Sequence, residues 1–165
     1  MKDADRTATA RRKAREIFRR AYRAQQRGDL DEAMRLYHAS LELHPTPEAH
    51  TFLGWAHSFR REYEEAMRCC REAIALDPDF GNPYNDIGAY LIELDRWDDA
   101  LPWLRAALRA RRYRSYHYPY FNLGRVHEHQ GEWDQAEADY RMALRFEPGY
   151  EPARLALFRL QVRRN

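Results

Sequence analysis

A short phrase recurs along the chain at a nearly fixed interval: a small residue, an alanine twelve positions on, and a core residue four beyond that. Ala21, Ala33 and Tyr37 form one copy, and Gly54, Ala66 and Cys70 the next. Gly88, Ala100 and Leu104 follow, then Gly124, Ala136 and Tyr140. Successive copies are 33, 34 and 36 residues apart. Pro45, Pro78 and Pro148 each stand twelve residues after the alanine of their copy. A period of this length marks an array of stacked units, each too small to bury its apolar face alone. Stacked helical pairs present binding surfaces more readily than catalytic clefts, so the period also narrows the class of function.

Between these marks the apolar spacing is helical. Residues 10–27 place Ile17, Ala21 and Ala24 among charges, Gly28-Asp29 interrupts, and a second run covers 30–43. His44-Pro45-Thr46-Pro47 ends that run and opens the next, with Thr46 as N-cap, Pro47 in the first turn and Glu48 at the positive end of the helix dipole. The same reading gives helices over 47–60 and 63–76, 81–94 and 97–110, 117–130 and 133–146, and an unpaired one over about 151–163. No strand alternation of useful length is present, so the expected class is all-α with antiparallel neighbours. Gly54, Gly88 and Gly124 each cost a helix about 1 kcal/mol relative to alanine. Their recurrence implies a close approach, for which Ala66, Ala100 and Ala136 on the following helix are the expected partners.

Leu53-Gly54, Ile87-Gly88 and Leu123-Gly124 in the first helices, the runs from Ala66 to Ala73, Ala100 to Ala107 and Ala136 to Ala143 in the second, and the closing prolines resemble the tetratricopeptide repeat (TPR) family over about residues 14–150. The resemblance implies a right-handed α-solenoid of four TPR helix pairs plus a C-terminal capping helix. The units would span about 14–46, 47–80, 81–116 and 117–150, after a basic N-terminal extension (1–13) and before a capping helix and basic tail (151–165). Two places depart from the pattern. The first unit has Arg20-Ala21 where Leu-Gly is usual. The third has Arg111-Arg112 in place of the closing Asp/Asn-Pro and is two residues longer than its neighbours. There the helix is expected to run on before a turn at 112–115, as a surface insertion that costs little or, alternatively, as a widened joint that changes the local superhelical twist.

Composition excludes several functions. Of 165 residues, 44% are hydrophobic, which is enough for a core, and the net charge of +2 creates no global field for nucleic acid. The charge is uneven: residues 1–27 hold ten Lys/Arg against three Asp/Glu. No apolar run approaches the length of a membrane span, and no secretory leader is read at the start. The two cysteines, Cys69 and Cys70, are neighbours on a helix and poorly placed to bridge, which fits a reducing, cytoplasmic location. His127 and His129 point to opposite sides of a helix and cannot share an ion, and no zinc-type spacing exists. His57 and His127 are instead expected as packed histidines with one hydrogen bond each. No phosphate loop or nucleophile elbow is present. Neither catalytic residues nor a metal nor a cofactor is expected.

In the family that the chain resembles, the first helix of each unit lines a concave groove. Turning each Leu-Gly edge inward leaves Phe18 and Tyr22 on that face, with Gln25, and then Phe52, Trp55 and Phe59, with Thr51. Asn82, Asn85 and Asp86 follow, and then Tyr118, Phe121, Asn122 and Arg125, with Leu155 and Arg159 on the final helix. An aromatic stripe beside asparagines, whose amides both donate and accept, suits a peptide main chain. The expected function is a non-catalytic adaptor that binds a peptide or protein segment in this groove. The alternative is a self-associating structural scaffold, a homo-oligomer. A third reading takes the N-terminal arginines and the Arg/Tyr-rich stretch 105–120 as a module for nucleic acid. Chaperone-binding relatives hold a terminal carboxylate with two cations and two asparagines. The matching positions here lack the cations, and Asp86 would repel a carboxylate, so a chaperone C-terminal tail is not an expected partner.

Overall fold

The computed structural model describes the backbone of residues 2–164 and the side chains of residues 6–163. The charges of Lys2, Asp3 and Asp5 in the basic extension, and the end of the basic tail, lie outside the described side chains. Among the described residues are nine α-helices: α1 (Lys2–Gln26), α2 (Leu30–Leu43), α3 (Pro47–Phe59), α4 (Tyr63–Leu76), α5 (Asn82–Glu93), α6 (Trp97–Arg109), α7 (His117–His129), α8 (Trp133–Phe146) and α9 (Glu151–Arg164). The chain divides into two compact units, Met1–Pro78 with α1–α4 and Asp79–Asn165 with α5–α9. The all-α class and the paired helices agree with the periodicity. The first helix differs in length: it begins at Lys2 because no glycine or proline precedes Gly28, and alanine and arginine favour helix throughout.

The turns within the four pairs repeat as strictly as the helices. Gly28, Arg61, Asp95 and Gly131 all have positive φ, at 79°, 62°, 57° and 76°. Their spacing along the chain is that of the small residues. The chain reverses through one left-handed residue at each place, a conformation glycine adopts without strain and arginine or aspartate at a cost of about 1 kcal/mol or more. At α3 the cap is the one expected: Thr46 accepts a hydrogen bond from Ala49 N at 3.2 Å, with Pro47 in the first turn.

In the first unit, Ala21, Ala24, Ala33, Leu36, Tyr37, Leu53 and Cys69 form one buried cluster. The Ser40 hydroxyl ties α2 to α1 by donating to the Ala14 carbonyl at 2.8 Å. The close approaches at the glycines differ from expectation in their partner. A Cβ on Gly88 would lie 2.5 Å from Leu104, and one on Gly124 would lie 2.5 Å from the Tyr140 ring; in each case the residue met is the core residue four beyond the alanine. Only at Gly54 is the alanine itself the nearest neighbour, through the Ala66 carbonyl at 3.0 Å, with Cys70 Sγ at 3.5 Å. The alanines are fully buried beside these contacts.

The long third joint is also a correction. α6 does not run on: it ends at Arg109, and Ala110 is already extended. The following residues form an isolated parallel bridge between Arg112 and Phe80. Arg112 N donates to the Asp79 carbonyl at 2.8 Å, and Gly81 N donates to the Arg112 carbonyl at 3.2 Å. The Arg112 guanidinium lies 4.4 Å above the Phe80 ring. Tyr113 is buried against Gly81, where a Cβ would come within 2.4 Å of it, and packs with Ala107 and Ala110. The two extra residues thus build a packed joint and not a loose insertion.

Two outcomes follow. Gly124→Ala adds a methyl against a buried ring whose hydroxyl is held by Glu128. The overpacking, about 1–3 kcal/mol, exceeds the helix propensity regained, and the urea midpoint should fall. Tyr113→Ala should cost about 3 kcal/mol in the same measurement, as a core truncation does, where a tolerated surface insertion would show almost none.

Candidate peptide-binding surface

In the first unit the aromatic residues expected on the open face form a packed cluster. Phe52 of α3 meets Phe18 and Tyr22 of α1 edge-on, with ring centres 5.4 Å and 5.5 Å away, and lies 4.8 Å from Trp55. Beneath them Tyr37 contacts Phe18 at 5.6 Å and donates from its hydroxyl to Gln25 Oε1 at 2.7 Å. Burial pushes the Tyr37 phenol well above its ordinary pKa, so it stays a donor. The expected stripe is therefore divided. Phe52 and Phe18 join the first helices of adjacent pairs, Trp55 is half-buried, Tyr22 is exposed, and Phe59, 68% exposed, stands at the end of α3. Gln25 and Thr51, also expected on the open face, are buried. Gln25 serves Tyr37, and the Thr51 hydroxyl donates to the Pro47 carbonyl at 2.8 Å.

In the second unit the polar residues form a ladder across α5 and α7. Asn85 Nδ2 donates to Asp86 Oδ1 at 3.3 Å, Asn122 Nδ2 donates to Asn85 Oδ1 at 3.2 Å, and Arg125 donates to Asn122 Oδ1 at 3.4 Å and to Glu93 at 3.0 Å. Asn85, Asp86 and Asn122 are buried, while Arg125 and Asn82 are half-buried. The amides bond one another across helices, yet each retains one N–H and one lone pair beyond these contacts. Tyr118, 44% exposed, and Phe121 both meet the Tyr150 ring edge-on, at 5.6 Å and 5.4 Å, and His117 lies 5.0 Å from it. Tyr150 and Tyr113 belong to this neighbourhood and were not legible as such. The phenol of Tyr113 is pushed up by burial, then by the negative charge of Asp86 and the neighbouring tyrosines.

His57, His127 and the two cysteines act as packing groups. His57 Nδ1 is 2.7 Å from Glu62, and His127 Nδ1 is 2.6 Å from Asp139. Burial raises the Asp139 carboxyl, opposed by its bond to His127. Burial pushes the Cys69 thiol up to about 11, which leaves it protonated and poorly nucleophilic at neutral pH. Among the described residues, no three His, Cys, Asp or Glu side chains are arranged to hold a metal ion.

Helix pairs at this spacing, with aromatic and hydrogen-bonding side chains on their first helices, define a helical-repeat protein of the interaction-scaffold class. Sequence profiles of the tetratricopeptide repeat match residues 18–48, 47–80 and 79–146. The chain belongs to the tetratricopeptide repeat family. It is 31% identical to protein bimA of Emericella nidulans over 104 residues, 62% of this chain and 12% of that protein. It is 31% identical to anaphase-promoting complex subunit 3 of Schizosaccharomyces pombe over 116 residues, 68% of this chain. The chain thus spans only 12% and 17% of the lengths of these two relatives. The solved structure of pilF from Pseudomonas aeruginosa superposes with a TM-score of 0.85 at 24% identity, covering 93% of this chain and 70% of that one. That likeness is one of fold.

His50 supplies a pH test of the first unit. Its side chain is mostly buried, and its Nδ1 lies 3.0 Å from Glu72 Oε2 without hydrogen-bond alignment. Burial lowers its pKa below 6.5 despite the opposing pull of Glu72. The fold therefore prefers the neutral ring. That contribution is whole above the unfolded value of 6.5 and is lost as pH falls through it toward the folded value. The urea midpoint should drop on acidification through this window, and by less in His50→Leu.

Proposed function

We propose that this protein is a non-catalytic adaptor that holds a peptide or protein segment on the open faces of its first helices. The observation that supports this is the ladder from Asp86 through Asn85 and Asn122 to Arg125, flanked by Tyr118 and Phe121. A buried, cross-linked set of amides is a preorganised platform: it fixes donors and acceptors at low entropic cost to an extended main chain. In the first unit, Tyr22, Trp55 and Phe59 offer aromatic anchors held by the packed rings of Phe18 and Phe52, and Asn82 extends the polar face of the second. The two faces are separate recognition elements in this reading. The buried thiols Cys69 and Cys70 suit a reducing compartment, the cytoplasm.

The test is affinity capture from the source cell with the full chain, Trp55→Ala and Arg125→Ala, followed by titration of the partner recovered. Each substitution should weaken that partner roughly tenfold, as truncation of an aromatic or arginine anchor does, with the helical circular dichroism retained. Unchanged affinity in both variants would remove these faces from the interaction.

A further inference from the structure

The last helix, α9, has apolar residues on two sides. Ala153, Ala156 and Leu160 are buried, and Ala156 and Leu160 pack with Ala136 and Tyr140 of α8. Leu155, Phe158 and Val162 form a second stripe and are 54%, 64% and 60% exposed. Their spacing of three and four residues puts them along one helix face over about 10 Å.

Internal repetition shows what kind of element suits this stripe. Shifted back by 34 residues, Ala153, Ala156 and Leu160 fall on Pro119, Asn122 and Val126, which are also buried. By the same shift Leu155, Phe158 and Val162 fall on Phe121, Gly124 and Glu128 of α7. Those three residues all meet one helix: Phe121 lies 5.8 Å from the Tyr140 ring of α8, a Cβ on Gly124 would strike that ring, and Glu128 accepts its hydroxyl at 2.6 Å. The stripe on α9 is the register at which a helix packs. Phe158 stands where α7 has glycine, so a helix cannot approach as closely as α8 approaches α7.

Charge narrows the occupant. Exposed Arg154, Arg159 and Arg163 flank the stripe, with Arg163 over the Trp133 ring at 5.5 Å and Arg159 3.8 Å from Glu128. The acidic groups nearby are Glu128, already bonded to Tyr140, and Glu151 at the start of α9. Two copies paired antiparallel through this stripe would set Arg154 against Arg163 twice. The basic α1 of another copy would fare no better. An open, shallow depression lined by Trp97, Trp133 and Arg163 adjoins the stripe. We infer that the outer face of α9 docks an amphipathic helix with acidic flanks, supplied by a partner protein, through Leu155, Phe158 and Val162.

The test uses the full chain and a fluorescein-labelled synthetic peptide with leucines at helical spacing flanked by glutamates. Its twin carries lysines in place of the glutamates, and binding is read by anisotropy. The glutamate peptide should bind and gain helical circular dichroism, with the lysine twin roughly tenfold weaker. Phe158→Asp should weaken the glutamate peptide roughly tenfold, Arg163→Glu should shift preference toward the lysine twin, and both should leave the thermal midpoint in place because the residues are exposed. Trp55→Ala should bind the peptide normally, which separates this face from the aromatic face of the first unit. Equal affinity for the twins, no binding, or indifference to Phe158→Asp would overturn the inference. So would a concentration-dependent dimer abolished by Phe158→Asp, which assigns the face to a second copy. Phe158-dependent sedimentation with phosphatidylserine vesicles, without glutamate-peptide binding, would assign it to a membrane.

Discussion

Three helix pairs in this chain close on one steric contact: a glycine on the first helix against the second helix, at a core side chain in two pairs and at the Ala66 carbonyl in the other. Leu104 and Tyr140 fill the space that a Cβ on Gly88 or Gly124 would need, and Cys70 lies beside Gly54. The size of the incoming residue varies from cysteine to tyrosine while the glycine does not, so each pair sets its own volume around a shared close approach. The fully buried alanine four residues earlier keeps the neighbouring turn out of the way. The first pair uses Ala21 with Tyr37 and adds a bond from the tyrosine hydroxyl to Gln25. Tyr140 does the same with Glu128, so the two tyrosines bury a ring and still satisfy its polar end.

This contact also explains what could be read in advance. A period near 34 residues fixes where helices reverse, because the left-handed turn residue must recur with the packing residue. Gly28 and Gly131 announce that conformation, whereas Arg61 and Asp95 adopt it without any local signal. Small residues suggest mutual approach, so the sequence points to the alanine as the partner of each glycine. Spacing cannot show that the alanine supplies clearance and the core residue supplies the contact.

The open faces were legible as positions and not as networks. Helical phase puts Asn85, Asn122 and Arg125 on related faces, but their mutual bonds depend on the separation of α5 from α7, which the joint between α6 and α7 helps to set. That joint was the least legible element. Arg111-Arg112 reads as charge and Tyr113 as one tyrosine among several. Only the three-dimensional fold reveals that Arg112 pairs with Asp79 and Gly81 while Tyr113 fills the space that Gly81 leaves. Phe52 shows the opposite case: an aromatic read as a ligand contact lies within a ring cluster that joins two first helices, packed against Tyr22 and Trp55.

The same rule gives α9 its meaning. A helix face left to solvent in such an array is ordinarily polar, and the outer face of α9 carries leucine, phenylalanine and valine ringed by arginine. It keeps the inner residues of a first helix, since Ala153, Ala156 and Leu160 bury as their counterparts do. At the position of the small residue, however, it carries Phe158. A ring there is incompatible with the close approach seen at Gly88 and Gly124, and a ring 64% exposed is costly to leave in water. The residue that rules out so close an approach is thus also the most exposed of the α9 stripe, and a helix held at wider spacing by acidic contacts to Arg154, Arg159 and Arg163 meets both conditions.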